Sequence, residues 1–212
     1  MKSSKITQIR QIQTYLKEKK LLGNLREDAA AGKIPVIDEV AGRFLEMLCF
    51  IKNPKNILEI GCGSGYSSYF LVKNLGSGNY TGIDLNKKRL EMAEKFIKSI
   101  FPEKNCIFLA GNAIDIITDL KGKYDLVFID AAKYEYPMYI KSLMGKIETG
   151  SIIIADNIFY KGKIFTSSVT KHDCRSVTGI KDYIGYITRS RNFKNNFINV
   201  GDGLSISKFL GR

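Results

Sequence analysis

The sequence predicts an α/β protein built on a doubly wound, seven-stranded, mostly parallel sheet, with an antiparallel last strand and extra N-terminal helices. Three observations carry this prediction. Short apolar runs alternate with helix-like patterns between about residues 56 and 155. A glycine-rich turn follows the first of these runs, as in sheets that hold a nucleotide-like ligand at their carboxyl edge. The chain then closes with two strand-like runs around a glycine turn, which predicts a hairpin.

Length and composition indicate one domain, residues 1–212, which we divide into an N-terminal helical extension over 1–33 and a core over 34–212. The chain has 212 residues and 44% apolar content, enough to bury one full core. It lacks a run of about 18 apolar residues and a leader-like N-terminus, so we expect no membrane span and a cytoplasmic location. Four cysteines without metal-ligand spacing and a single histidine, His172, disfavour zinc sites and Ser–His or Cys–His catalysis.

The net charge of +12 is concentrated in two segments. Residues 1–33 carry eight Lys or Arg against three Asp or Glu, and residues 161–194 carry eight against two. Residues 34–160 carry fifteen of each. An excess confined to two segments fits an electrostatic footprint for a polyanion. Lysine-rich solvated faces are the alternative, and the charge pattern gives the two interpretations comparable weight.

The first third of the chain is predicted to be helical. Apolar residues at helical spacing predict an amphipathic helix over residues 5–19 and a second, shorter helix over 21–31 that Gly32 ends. An extended link over 35–38 leads to a third helix. Its apolar stripe is assigned to the core and consists of Val40, Phe44, Leu45, Leu48 and Ile51.

The sheet elements then follow in order. Strands are predicted over residues 56–60, 79–84, 106–110, 124–130 and 151–155, and a closing hairpin over 196–200 and 204–209. Helices are predicted after the glycine turn, over 87–100, over 113–120, from the fourth strand to about 146, and over 177–188. Ser67 and Ser68 are expected to cap the first of these helices.

The glycine turn itself reads Glu59-Ile-Gly61-Cys-Gly63-Ser-Gly65-Tyr66. A dinucleotide fingerprint requires a glycine five positions after the first, where Tyr66 stands, so that interpretation is weakened. Asp84 ends the second strand, where a carboxylate can accept hydrogen bonds from the ribose hydroxyls of a nucleoside. Asn112, after the third strand, can contact an adenine amine or cap the next helix, and both alternatives remain open.

Oxygen-bearing side chains also follow two further strands. Asp130 ends the fourth strand, and Asp156 and Asn157 follow the fifth. Neighbouring parallel strands would bring these two carboxylates and one amide together, and such hard oxygen ligands suit Mg²⁺. Lys133, three residues after Asp130, can point to the same place. Each residue alone is an ordinary loop former, but the combination beside a cofactor turn predicts a metal site with an adjacent base.

These motifs, together with Val200-Gly-Asp202-Gly203-Leu, resemble the class I S-adenosylmethionine-dependent, metal-dependent O-methyltransferases of the catechol and caffeoyl-CoA type. The resemblance covers the chain from about residue 35 onwards, and the chain is similar to the small bacterial members, which include the tRNA 5-hydroxyuridine O-methyltransferase. It implies a Rossmann-like fold, a homodimer, Lys133 as catalytic base, and a divalent cation on Asp130, Asp156 and Asn157. The implied S-adenosylmethionine contacts are Val36, Glu59, Gly61, Gly63, Ser67, Asp84, Asn112, Ala113 and Asp130.

The implied acceptor has two neighbouring oxygens, as in a catechol or a 5-hydroxypyrimidine. In this family the N-terminal segment and the connection after the Asp-Asn pair lie near the substrate entrance, and here both are basic. The favoured substrate is therefore 5-hydroxyuridine in tRNA, and the alternative is a small catechol-like or caffeoyl-CoA-like molecule. A non-catalytic nucleotide-binding module is a distant alternative.

Overall fold

The structure, a computed structural model, describes residues 2–211, with side chains described from position 12. It divides into two compact units, one reaching to Val36 and one beginning at Ile37. In the first unit a single helix, α1, covers Lys2–Ala31. The predicted break near residue 20 is wrong, because the helix runs without interruption through residues 19–23, and Gly23 within it costs only about 1 kcal/mol. Gly32 ends the helix, as predicted, and Lys33 follows with a left-handed backbone (φ 53°).

The second unit is built on one seven-stranded sheet. Its strands, in chain order, are β1 (Asn56–Ile60), β2 (Asn79–Asp84), β3 (Asn105–Ala110), β4 (Tyr124–Ile129), β5 (Ile147–Ala155), β6 (Phe193–Ile198) and β7 (Leu204–Phe209). Their spatial order is β3-β2-β1-β4-β5-β7-β6. Strands β1 to β5 are parallel, and β7 runs antiparallel to both β5 and β6. The predicted doubly wound sheet with an antiparallel last strand is confirmed.

The helices of this unit alternate with the strands. They are α2 (Glu39–Lys52), α3 (Tyr66–Lys73), α4 (Lys87–Ile100), α5 (Ala113–Asp119), α6 (Tyr136–Leu143) and α7 (Lys171–Arg189). Helix α3 packs against α2 and α4, and α6 packs against α5 and α7. The buried residues Tyr136 and Tyr183, on α6 and α7, join β4 and β5 in the main hydrophobic core. No helix within the described range is long and apolar enough to cross a membrane.

Several predicted boundaries are wrong for local reasons. A short 3₁₀ turn over Lys133–Glu135 precedes α6, which ends at Leu143 rather than near residue 146. Strand β5 begins four residues earlier than predicted and passes through Gly150, whose backbone is left-handed (φ 92°). Helix α7 begins six residues earlier, because the side chain of Thr170 caps it by accepting from the backbone N–H of Asp173. Strand β6 is shifted to begin at Phe193, whose ring packs on Phe209 of β7.

The predicted capping of α3 by serines is also wrong. The N-cap is Gly65, which has a left-handed backbone (φ 92°) and no side chain to donate or accept a bond. Ser67 and Ser68 are the second and third residues of the helix and are buried. Their hydroxyl groups are therefore available to the interior of the protein rather than to the helix end.

The predicted apolar stripe of α2 is only partly buried. Val40 and Ile51 are 64% and 70% exposed, whereas the buried face carries Ala41, Gly42, Leu45 and Cys49. A Cβ on Gly42 would stand 2.4 Å from the ring of Phe70 on α3. Because α2 and α3 approach each other closely, the face of α2 that carries the small residues Ala41 and Gly42 is the buried one. The spacing of apolar residues alone did not predict this.

Candidate active site

The carboxyl ends of β1 and β4 meet at the glycine turn. The backbone N–H of Asp130 donates to the carbonyl of Ile60 at 2.9 Å, so Asp130 follows β4 directly beside the turn. A Cβ on Gly61 would stand 2.4 Å from the carbonyl oxygen of Asp130. Gly61 also has a left-handed backbone (φ 91°). The first glycine of the motif is thus required for two reasons, its backbone conformation and the closeness of β4.

We expect Gly61→Ala to destabilise the protein much more than Gly122→Ala. The two glycines have nearly the same φ, 91° and 89°, but nothing lies within 4 Å of a Cβ built on Gly122. Gly122→Ala therefore reports left-handed strain alone, about 1–2 kcal/mol. Gly61→Ala adds a collision with backbone and should cost roughly 2–4 kcal/mol more. Urea unfolding of the two variants measures the difference, and equal losses would contradict the assigned close approach.

The carboxylate of Glu59 is fully buried behind this turn. Its Oε2 accepts hydrogen bonds from Ser68 Oγ at 2.7 Å and from the hydroxyl of Tyr80, whereas its Oε1 has no partner among the described residues. Burial raises the pKa of Glu59 to about 7, although the hydroxyls of Ser67, Tyr80 and Ser68 favour the charged form. A buried acceptor atom without a partner fits a ligand that brings a hydrogen-bond donor.

Glu59→Gln is expected to flatten the pH dependence of stability of the ligand-free protein. Between the ordinary pKa of 4.5 and the folded-state pKa of about 7, the folded protein binds the extra proton. The contribution of this group to the free energy of unfolding is therefore fully present below pH 4.5. About 3 kcal/mol of it is lost as the pH rises from 4.5 through 7. Unfolding at pH 5 and pH 8 tests this, with the exposed Glu148→Gln as control. An unchanged pH slope in Glu59→Gln would contradict the assignment.

The predicted ribose-binding residue, Asp84, is placed at the same edge. One carboxylate oxygen accepts from the backbone N–H of Gly63 at 2.8 Å, and the other accepts from Asn86 at 2.8 Å. Asp84 therefore shapes the glycine turn as well as standing beside it. The side chain of Asn112 caps α5 by accepting from the backbone N–H of Ile114 at 2.8 Å, which supports the capping alternative.

The predicted metal residues also converge. Ile129 and Ala155 are paired across β4 and β5, so Asp130 and Asp156 leave neighbouring strands at the same level. Burial and, after it, the charge of Asp130 raise the pKa of Asp156 to about 7, against the opposing effects of the Asn157 backbone N–H and the charge of Lys133. Among the described residues no group of three His, Cys, Asp or Glu could hold a metal ion. The predicted set differs from such a group, since it consists of the carboxylates of Asp130 and Asp156 and the amide of Asn157. A buried carboxylate beside a second, partly exposed one still fits a cation.

Lys133 lies directly at this edge. Its Nζ is 2.6 Å from Asp130 Oδ1 and 3.3 Å from the carbonyl oxygen of Ala131. The 3₁₀ turn that carries it is pressed against α7, since a Cβ on Gly179 would stand 2.6 Å from the Lys133 carbonyl oxygen. The sequence prediction that Lys133 points toward Asp130 agrees with these distances.

Three functional contacts were absent from the sequence prediction. Tyr80 reaches Glu59 from β2, Arg175 lies 4.4 Å from the ring centroid of Tyr134, and Asp202 binds the segment after Asn157. Two of these residues carried a signal, Asp202 as part of the Gly-Asp-Gly turn and Arg175 as part of the basic segment 161–194. Val36 lies in the first unit, after α1, and its predicted contact with a cofactor stays a prediction.

The chain is similar to known methyltransferases in sequence and in fold. Tapetum-specific methyltransferase 1 of Arabidopsis thaliana is 27% identical over 99% of this chain and 95% of its own length. The catechol O-methyltransferase of Niastella koreensis is 31% identical over 61% of each chain. The crystal structure of an O-methyltransferase from Bacillus cereus in complex with SAH superposes with a TM-score of 0.81, at 25% identity and 90% coverage of both chains.

The family match extends over nearly the whole chain. A model of the O-methyltransferase family matches residues 11–209, which include the glycine turn and both polar strand ends. The protein therefore belongs to the O-methyltransferase family.

Proposed function

We propose that the protein transfers the methyl group of S-adenosylmethionine to a hydroxyl that has a second oxygen beside it, with the help of a divalent cation such as Mg²⁺. The observation that carries the proposal is the position of Asp130. It touches the glycine turn on one side and Lys133 on the other, and it follows β4 next to the strand that leads into Asp156. One short edge of the sheet thus joins a cofactor turn to an acid-base site.

The glycine turn and its neighbours are assigned to S-adenosylmethionine. The unpartnered Oε1 of Glu59 can accept a hydrogen bond from the cofactor, and the glycines let the backbone approach it closely. Asp84 keeps lone pairs for ribose hydroxyls besides its two backbone contacts. The remaining assigned contacts are Val36, Ser67, Asn112, Ala113 and Asp130.

Asp130, Asp156 and Asn157 are assigned to the divalent cation. Their oxygen atoms are of the type that Mg²⁺ prefers. When bound, the cation supplies Lewis-acid chemistry, which lowers the pKa of a substrate hydroxyl. The burial of Asp156 beside Asp130 supports the assignment, because the cation's positive charge would relieve the repulsion of two close carboxylates.

Lys133 is assigned the role of general base. In its neutral form its Nζ can accept the proton of the acceptor hydroxyl at the edge where Asp130 stands. The acceptor oxygen then forms a bond to the methyl carbon as the carbon–sulfur bond breaks, which leaves S-adenosylhomocysteine. The chain's contribution is to hold the two reactants in line, and positioning of this kind supplies a large part of the rate acceleration.

We propose tRNA bearing 5-hydroxyuridine as the acceptor, and the distribution of charge supports it. Arg175, in the basic segment 161–194, lies over the exposed ring of Tyr134, the neighbour of Lys133. Lys141 of α6 and Lys181 and Arg189 of α7 line a cleft of about 580 Å³ between these two helices. Arg189 is 14 residues after Arg175 on one helix, roughly 21 Å away. A polyanion, but not a catechol, is long enough to contact both places.

The relatives favour a second acceptor class. The chain resembles a catechol O-methyltransferase at 31% identity, and a catechol also offers two neighbouring oxygens. A small catechol-like or caffeoyl-CoA-like molecule is therefore the second candidate. Such an acceptor would use the Asp130 edge and leave the basic cleft without a role. We also propose a homodimer, on the resemblance alone, which light scattering in solution tests.

The experiment is methyl transfer from labelled S-adenosylmethionine to bulk tRNA and to a catechol panel, with and without Mg²⁺. For tRNA we expect transfer that falls steeply as salt rises, since phosphate contacts release counterions. Lys181→Ala/Arg189→Ala should weaken tRNA methylation several-fold and leave catechol turnover unchanged. Transfer to catechols with no tRNA binding at low salt would select the second acceptor. No transfer to tRNA, to catechols or to a caffeoyl-CoA-like acceptor added to the panel would refute the proposed function.

A further inference from the structure

The segment that follows β5 has an unusual backbone. Asn157, Tyr160 and Lys161 all have left-handed conformations, with φ values of 54°, 48° and 54°. Asparagine tolerates this region, but tyrosine and lysine rarely adopt it. Such conformations persist where the surrounding structure holds them in place, and they cluster near functional sites. The segment begins at the amide assigned to the cation, so the contacts that hold it matter for the site.

The turn between β6 and β7 supplies those contacts. The two carboxylate oxygens of Asp202 accept from the backbone N–H of Lys161 at 2.8 and 2.9 Å. The carbonyl oxygen of Asp202 accepts from Phe159 at 3.0 Å, and that of Gly203 accepts from Ile158 at 3.0 Å. Three backbone donors of the segment are therefore bound by two consecutive residues of the Gly-Asp-Gly turn.

The backbone of Asn157 is held by a hydrogen bond on each side, both within the segment itself. Its own N–H donates to Asp156 Oδ1 at 2.6 Å, and its carbonyl accepts from the backbone N–H of Tyr160 at 3.1 Å. Gly203 of the hairpin turn packs tightly against the same segment, since a Cβ there would stand 2.5 Å from the ring of Phe159. The hairpin turn and the segment after β5 thus pack together. Among the described residues, the only hydrogen bonds between them that use a side chain are those that the Asp202 carboxylate accepts from the Lys161 N–H, 41 residues away.

We infer that Asp202 is a positioning residue that holds the segment 157–161 so that Asn157 stays in place for the divalent cation. The inference rests on the proposed metal-dependent function. Residues that orient metal ligands typically change metal affinity 10–100-fold when they are removed. The ligands assigned to the cation are Asp130, Asp156 and Asn157, and the role inferred for Asp202 is to bind the Lys161 amide.

The test is Mn²⁺ binding to the full-length protein, followed by electron paramagnetic resonance, in the wild type, Asp202→Ala and Asp202→Asn. We expect alanine to weaken binding about 10–100-fold and asparagine to weaken it less, because asparagine keeps one oxygen for the Lys161 amide. Binding of S-adenosylmethionine should be unchanged in both. Asp119→Ala, which removes an exposed carboxylate at the end of α5, is the matched control and should bind Mn²⁺ normally.

Each other outcome has a defined meaning. Alanine and asparagine variants that are equally weak would show that Asp202 acts through its charge, and wild-type affinity in Asp202→Ala would show that it has no role. Either result overturns the inference. A wild-type protein that does not bind Mn²⁺ would instead refute the proposed metal site. If Asp202→Ala does not fold, Asp202→Ser, which suits a turn but shortens the acceptor, takes its place in the same comparison.

Discussion

Replacing Lys133 with alanine is expected to lower kcat by roughly 10²–10⁴-fold, the usual contribution of a positioned general base. The Nζ atom is 2.6 Å from Asp130 Oδ1 and is the one lysine nitrogen that the described side chains place at this edge. Because the side chain makes no contact with the glycine turn in the described hydrogen bonds, the affinity for S-adenosylmethionine should change little. Single-turnover rates and calorimetric cofactor binding measure the two effects separately.

Two controls accompany the Lys133 variant. Lys141→Ala removes an exposed lysine eight residues later on α6 and should leave the turnover of a small acceptor unchanged. Thermal unfolding shows whether loss of the ion pair with Asp130, which is largely buried, also affects the fold. A Lys133→Ala enzyme that is folded, binds cofactor and turns over at the wild-type rate would remove Lys133 from the mechanism.

Removal of divalent cations is expected to reduce methyl transfer at least about 100-fold, since Lewis-acid stabilisation is worth several kcal/mol. The physical reason lies in Asp156, a buried carboxylate whose pKa is raised by burial and by the charge of the neighbouring, partly exposed Asp130. Initial rates in excess EDTA, and after restoring Mg²⁺, measure the effect.

The Asp156→Asn variant tests the role of the cation without a chelator, so that other effects of EDTA cannot contribute. It removes one of the two close charges and keeps the side-chain shape, so it should raise the Mg²⁺ concentration needed for half-maximal rate. Glu148→Gln, at an exposed carboxylate earlier in β5, should leave that concentration unchanged. Full activity in EDTA would refute the metal assignment.

The sequence alone located the candidate site residues that directly follow an apolar strand. The glycine turn, the acidic end of β2 and the polar ends of β4 and β5 were all located by their place after an apolar strand. Parallel strands bring their carboxyl ends to one edge, so Asp130 and Asp156 had to be neighbours once β4 and β5 were adjacent. Family membership was predicted from the same motifs and is confirmed.

Element ends were predicted less well, because competing local signals have similar energies. A lone glycine inside α1 costs about as much as a helix cap contributes, so the sequence could not show whether one helix or two cover residues 5–31. At the start of α3, two serines offered capping groups, yet the chain used Gly65. The serine hydroxyls were instead drawn to Glu59, because a buried carboxylate gains more from a donor than a helix end exposed to water does.

By itself, the sequence determined the sheet, the cofactor turn and the edge at which the chemistry is proposed, because these depend on strand order and on side chains at strand ends. Tertiary structure decided which groups surround them. Tyr80 reaches Glu59 only because Gly82, two residues on, leaves room for its hydroxyl. Asp202 meets Lys161 across 41 residues of chain. Contacts of this kind depend on packing between distant segments, and no spacing along the chain encodes them.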